Sequence, residues 1–277
     1  MSFYNKILLL LITITSFTMQ AQSVSAMTFN IRYDNPDDNE NAWKNRKEAL
    51  VDLIQYYHPD FLGIQEGLDH QVHFIQKQLS DYKYIGVGRE DGAKKGEYSA
   101  IFYDTSRFEL LHQETFWLSD TPEKISIGWD AAMERICTYG KFKNKNTNEV
   151  FYVFNAHFDH IGVLARKNAA RLVLEKIKNL GLTKEKIIVM GDFNSEPDSE
   201  PIAIFKKELD YGLEKTTKKF YGPQGTFNDF DPAKIIDKRL DYIFTKNCNV
   251  FSYRHIDDKR VNNLCVSDHF PVLITLK

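Results

Sequence analysis

Cysteine is scarce in this chain: Cys137, Cys248 and Cys265 are the only three in 277 residues. No short paired spacing marks a metal knuckle or a disulfide framework, so at most one bridge is open. Three small buried residues are the simpler expectation. An excess of charge of one sign is also missing. Lys plus Arg (36) nearly match Asp plus Glu (38), and the net charge is −2. There is thus no global pull towards nucleic acid or anionic membrane, and no dense Lys/Arg run supplies a local one. Nucleic acid stays open as a substrate without being indicated by charge. The 8 prolines and 14 glycines never gather into a linker, and no repeat or low-complexity tract occurs. A single domain over residues 23–277, acting as a monomer, is expected.

Residues 1–22 are the exception to the lack of long apolar runs. Lys6 gives one positive charge, Ile7 to Phe17 are apolar, and Ala21 is a small residue suited to cleavage. This is the layout of a signal peptide, and it is short for a membrane anchor. No cysteine follows it to carry a lipid. A periplasmic or extracellular protein beginning near Gln22 or Ser23 is expected, with no integral membrane segment once the leader is removed.

The rest of the chain alternates apolar strands with a few helices. Residues 23–31 read as a strand ending at Asn30, followed by a polar loop 34–40 and an amphipathic helix 43–57 carrying Ala49, Leu50, Leu53 and Ile54. Residues 61–64 form a short buried strand that presents Gln65 and Glu66, and a helix follows near 69–79. Strands are expected at 84–87, 98–103, 108–116, 136–142 and 151–156, then a helix over 164–180 stopped by Gly181. Further strands fall at 187–190, 240–244, 250–255 and 271–276. Strands outnumber helices without strict alternation. That favours an α/β sandwich of two packed sheets with helices outside, over a Rossmann or barrel arrangement.

Polar groups recur where these strands end. Asn30 follows Met27-Thr28-Phe29; Glu66 follows residues 61–64; His157 and Asp159 follow Val153-Phe154-Asn155-Ala156. Asp192 and Asn194 follow 187–190, and Ser267-Asp268-His269 precedes the last strand. A single Asn or Asp of this kind is more often a turn residue, but five such tips point to a ligand site at strand ends. Glu66, Asp192, Asn194, Asp268 and Asn30 are hard oxygen donors suited to Mg2+ or Mn2+. Two imidazoles among them suit proton transfer and contact with an anionic substrate. Arg135 offers a fork for phosphate, with a surface ion pair as its plainer alternative.

The ordered set Asn30, Gln65-Glu66, Asn155 to Asp159, Gly191-Asp192-Phe193-Asn194, Leu240-Asp241-Tyr242 and Ser267-Asp268-His269 resembles the endonuclease/exonuclease/phosphatase superfamily. The resemblance spans residues 23–277 and implies a four-layer α/β sandwich of two mixed sheets. It implies a phosphate-ester substrate and a metal held by Glu66 and Asn30, with Asp268 as a further ligand. Asp192 and Asn194 would orient the attacking water and the phosphoryl oxygens, while His269 pairs with Asp241 and His157 with Glu97. Each carboxylate is then expected to raise its imidazole's proton affinity.

Which ester is cut lies in the loops. Lys94-Lys95, Lys206-Lys207 and Lys218-Lys219 read as solvated faces, and Phe116-Trp117-Leu118 and residues 125–129 as buried. A nuclease, and a catalytically silent binding module on the same fold, remain as alternatives.

Overall fold

The computed structural model describes residues 23–277, so the leader expected at 1–22 lies outside the described residues. Twelve strands and five α-helices follow one another. The first half holds β1 (Val24–Asn30), α1 (Trp43–Tyr57), β2 (Phe61–Gln65), α2 (Asp69–Gln78), β3 (Tyr82–Ile85), β4 (Ile101–Asp104), β5 (Phe108–Trp117) and β6 (Ile136–Asn144). The second holds β7 (Val150–His157), α3 (Val163–Asn179), β8 (Lys186–Asp192), α4 (Glu200–Glu208), β9 (Asp210–Tyr211), α5 (Gly212–Lys215), β10 (Asp241–Lys246), β11 (Val250–His255) and β12 (Val272–Leu276).

The strands form two six-stranded mixed sheets, ordered β11-β12-β1-β2-β4-β3 and β5-β6-β7-β8-β10-β9. The pairs β1–β2 and β7–β8 are parallel, and every other named pair is antiparallel. The sheets pack face to face through β1 and β2 against β8 and β7. In β1, Met27 and Phe29 face α1 and α2, while Val24 and Ala26 face the second sheet, the alternation a strand requires. Helix α3 buries Ala169, Ala170, Val173 and Ile177 on the far side of the second sheet, beside Ile202 and Phe205 of α4. The result is the four-layer α/β sandwich.

Between the sheets the backbones come close. A Cβ on Gly63 of β2 would lie 2.7 Å from Met190 Cε and 2.8 Å from Asn155 Cγ. Asn155 crosses the gap there. Its Nδ2 donates to the carbonyls of Ile64 and Ala100, both at 2.9 Å, and its Oδ1 accepts from Gln65 Nε2 at 2.6 Å. A buried amide so satisfied ties one sheet to the other.

Two apolar stretches differ from one another. Phe116, Trp117 and Leu118 are buried, but Ile125 and Ile127 are exposed and Trp129 is half-buried, against the expectation of burial for 125–129. That loop carries no ladder to hold it against the sheet. Cys137 and Cys265 are buried and Cys248 half-buried, and all three are free thiols. Among the described residues no helix is long and apolar enough to cross a membrane.

Candidate active site

One end of the sandwich opens into a cleft of about 680 Å³, lined by Glu66, Glu97, Arg135, His157, Asp192, Asn194, Asp268 and His269 among others. Asn30 lies buried just beneath it. Glu66 and Asn30 end adjacent strands of the first sheet, and Asp268 and His269 precede β12 of that sheet. His157, Asp192 and Asp241 stand at the ends of β7, β8 and β10 of the other. The cleft is thus assembled from both sheets, and two contacts cross it: Asn30 Nδ2 to Asp192 Oδ2 at 3.0 Å, and His269 Nδ1 to Asp241 Oδ2 at 2.8 Å.

The β8 tip is a tight turn. Gly191 has φ +153, and a Cβ there would lie 2.0 Å from the Ala156 carbonyl oxygen, so only glycine fits. Asn194 is left-handed (φ +46), and its N–H donates to Asp192 Oδ1 at 2.9 Å. Between them Phe193 points inward against Phe158, Phe205, Tyr242 and Phe244. The polar residues on either side are left in the cleft.

The two imidazoles have opposite surroundings. Burial opposes a charge on His269, but the carboxylates of Asp241 and Asp192 outweigh it and raise the pKa well above the ordinary value. Burial and the guanidinium of Arg135 lower His157 well below it. Its Nε2 lies 3.1 Å from Arg135 Nη1 and 3.3 Å from Asn194 Nδ2, both donors, so Nε2 is the unprotonated nitrogen. Asp192 lies almost midway, its Oδ2 3.7 Å from His157 Nε2 and 3.8 Å from His269 Nε2. Burial and the charge of Asp241 push the Asp192 carboxyl up to about 7.

Two sequence expectations change, and the plainer alternative for Arg135 falls away. Glu97 lies 3.7 Å from His157 Nδ1, beyond a hydrogen bond, because both its oxygens are taken by Arg89 at 2.7 and 2.9 Å. His157 is accordingly not made more basic. Asn30 turns its Nδ2 to Glu66 (2.9 Å) and Asp192, while its Oδ1 accepts from the Arg32 N–H at 3.0 Å. In this arrangement Asn30 bridges two carboxylates through its amide N–H groups. Arg135 is buried rather than in a surface pair, held by Asp159 at 3.3 Å and reaching His160 Nδ1 at 2.8 Å.

Asp192, Asp241 and His269 could hold a metal ion, each having a ligand atom within 4.8 Å of the others. The proton that His269 carries already offsets one of the two carboxylate charges of that trio. Glu66 and Asp268 answer better to a hard cation. The Glu66 charge adds to burial in raising both Glu97, to about 7, and Asp268, to about 6. Crowded carboxylate oxygens of this kind fit a divalent ion that keeps part of its water.

The sequence reading missed Arg32, Arg89 and His160 in the cleft, and the wall formed by Phe227, Asp229, Phe230 and Lys238. Arg32 follows Asn30 by two residues and was detectable by position. The others sit on irregular loops without a periodic signal.

The chain belongs to the Endonuclease/Exonuclease/phosphatase family, whose model matches residues 27–269. It is a hydrolase acting on phosphoester bonds. Among solved structures it is 39% identical to a mannosyl-6-phosphatase of Bacteroides thetaiotaomicron, with a TM-score of 0.88 over 92% of this chain and 99% of that one. A functionally unknown conserved protein from Enterococcus faecalis is 31% identical, with a TM-score of 0.86 over the same shares. A protein of Saccharomyces cerevisiae named "probable RNA exonuclease" is 27% identical over 215 residues, 69% of this chain but only 42% of that protein.

Proposed function

We propose that the protein is an exported phosphomonoesterase that uses Mg2+ or Mn2+. The observation that carries this reading is Asp192, a buried carboxyl whose Oδ2 lies 3.7 and 3.8 Å from the His157 and His269 imidazoles and which burial and Asp241 push up to about 7. A cation bound at Glu66 and Asp268 would neutralise charge on the phosphoryl oxygens. Asp192 then orients a water and takes its proton, a task suited to a group that titrates near the working pH. The His269 imidazolium, held by Asp241, donates to an equatorial oxygen. Arg135 and Asn194 add donors beside His157.

Monoester rather than polynucleotide cleavage is supported by the balanced charge and by likeness to the sugar phosphatase. A silent binding module would have lost one of these groups, and none is missing. Export is supported by Lys6, the apolar run after it and Ala21; mass spectrometry of protein from its host is expected to find the mature N-terminus near Gln22 or Ser23, and a retained Met1 overturns export.

Activity is expected to vanish in chelator and return with Mg2+ or Mn2+ on a panel of p-nitrophenyl phosphate, its bis-ester, sugar phosphates and RNA. Full activity in excess chelator refutes the metal, and faster cleavage of RNA than of any monoester refutes the substrate class.

A further inference from the structure

The groups above account for the phosphoryl chemistry of the cleft, but the wall beside Asp268 and His269 is left over. It is made by the turn at Asn228–Phe230 with Phe227 before it and Lys238 behind. Asp229 and Phe230 are both left-handed, with φ +57 and +56. Two successive non-glycine residues in that region cost about 1–2 kcal/mol each, and such strain persists only where the surroundings fix it. Here they do. The N–H groups of Asn228 and Asp229 donate to the Asp268 carbonyl at 2.7 and 3.1 Å, and Asn228 Nδ2 donates to the Ser267 carbonyl at 3.0 Å. Asn228 Oδ1 accepts the Phe230 N–H at 2.9 Å. The turn is therefore bolted to the same backbone that carries Asp268 and His269.

What the turn displays is only partly engaged by the fold, the Phe230 ring lying 5.7 Å from the buried Arg46 guanidinium. Phe227 sits edge-on to His269 at 5.1 Å, and both Phe227 and Phe230 are only half-buried. The Asp229 side chain is 66% exposed, with Lys234 no closer than 4.0 Å. The Lys238 ammonium stands 5.3 Å from the Phe227 ring.

We propose that this turn is the leaving-group subsite, and that it takes a neutral polyhydroxylated ring, the sugar part of a sugar phosphate. The inference rests on the phosphomonoesterase reading and names its substrate class. Aromatic faces accept the apolar C–H face of a ring, a carboxylate can accept several hydroxyls, and an ammonium donates to them. A polynucleotide would need cationic surplus beyond the cut. Over 229–239 the loop instead sets Asp229, Asp231 and Asp237 against Lys234, Lys238 and Arg239, three against three.

The test compares kcat/KM for hexose 6-phosphates with that for methyl phosphate, which offers the same phosphoryl group and no ring. Wild type, Phe230→Ala and Asp229→Asn are measured with Mg2+; asparagine tolerates the left-handed turn, so that variant keeps the fold. Wild type is expected to prefer its best hexose phosphate. Each substitution is expected to lower that preference by at least about tenfold, mainly through KM. An unchanged preference in folded Asp229→Asn and Phe230→Ala overturns the subsite while leaving the phosphomonoesterase reading intact. Wild type that hydrolyses no monoester at all overturns both, and a preference for RNA over every hexose phosphate overturns the sugar assignment.

Discussion

His157 and His269 lie 3.7 and 3.8 Å from the same oxygen of Asp192, yet the first is held neutral, by burial and its neighbours, and the second protonated. Arg135 disfavours a proton on the first, and Asp241 holds one on the second. Asp241→Asn keeps the shape but removes the charge, so His269 should lose its imidazolium character. Turnover is expected to fall about 100-fold with unaltered circular dichroism, the scale of losing an orienting partner and a proton donor. A change under twofold would remove His269 from the chemistry. A third histidine acts on stability alone. His255 is buried, donates through Nδ1 to the Pro223 carbonyl at 2.7 Å, and leaves Nε2 without a partner. Burial pulls its pKa down to about 4 from 6.5. The native state therefore stays neutral between those values while the unfolded chain takes a proton. Stability present above pH 6.5 is lost as pH falls towards 4, by about 2 kcal/mol at pH 5. His255→Gln should flatten that decline in urea titrations at pH 7.5 and 5; parallel declines would exclude His255 as its source.

Strand β8 and its tip depend on Phe193, fully buried in a stack of aromatic rings. Phe193→Ala is expected to cost about 3–5 kcal/mol, as large core truncations do. Turnover of the protein that remains folded should fall as well, because Asp192 and Asn194 flank the lost anchor. Urea unfolding and active-site titration on the same samples separate the two effects, and full turnover per folded molecule would show that the anchor is dispensable. The Gly-Asp-Phe-Asn tip was legible in sequence because an apolar strand, a glycine and a polar pair stand in one run. The strands 250–255 and the helix 43–57 fall at the residues expected. The segment from Ser195 to Arg239 was not legible. Helix α4 is nine residues long, has Pro201 in its first turn and carries Lys206-Lys207 in its last, which read as a solvated face. β9 and α5 are too short for any period to appear. The Arg89–Glu97 pair was hidden for a related reason: it closes a hairpin loop whose partners, eight residues apart, match no helical or strand spacing.

At the scale of the whole molecule, the site exists only while the two sheets keep their relative position, since Glu66 and Asp268 belong to one and Asp192 and Asp241 to the other. Below the cleft that position is set by Gly63 and Asn155. A methyl on Gly63 meets Met190 Cε and the Asn155 side chain. The methionine tip can swing aside, whereas Asn155 is held by three hydrogen bonds to the opposite sheet. Gly63→Ala must therefore break those bonds or move the sheets apart. A loss of about 1–3 kcal/mol is expected, the cost of overpacking a filled interior. Turnover should fall roughly 10- to 100-fold in protein that is still folded, because small displacements of reacting groups are costly. Asn155→Ala should itself destabilise by leaving Ile64, Ala100 and Gln65 groups unpaired, about 1–3 kcal/mol for each truly stranded group. If both substitutions act through the same tie, the double variant loses clearly less than the sum of the two, a coupling of about 0.5 kcal/mol or more. Strict additivity in urea unfolding would mean that Gly63 and Asn155 act separately, and that some other contact sets the distance between the carboxylates of the two sheets.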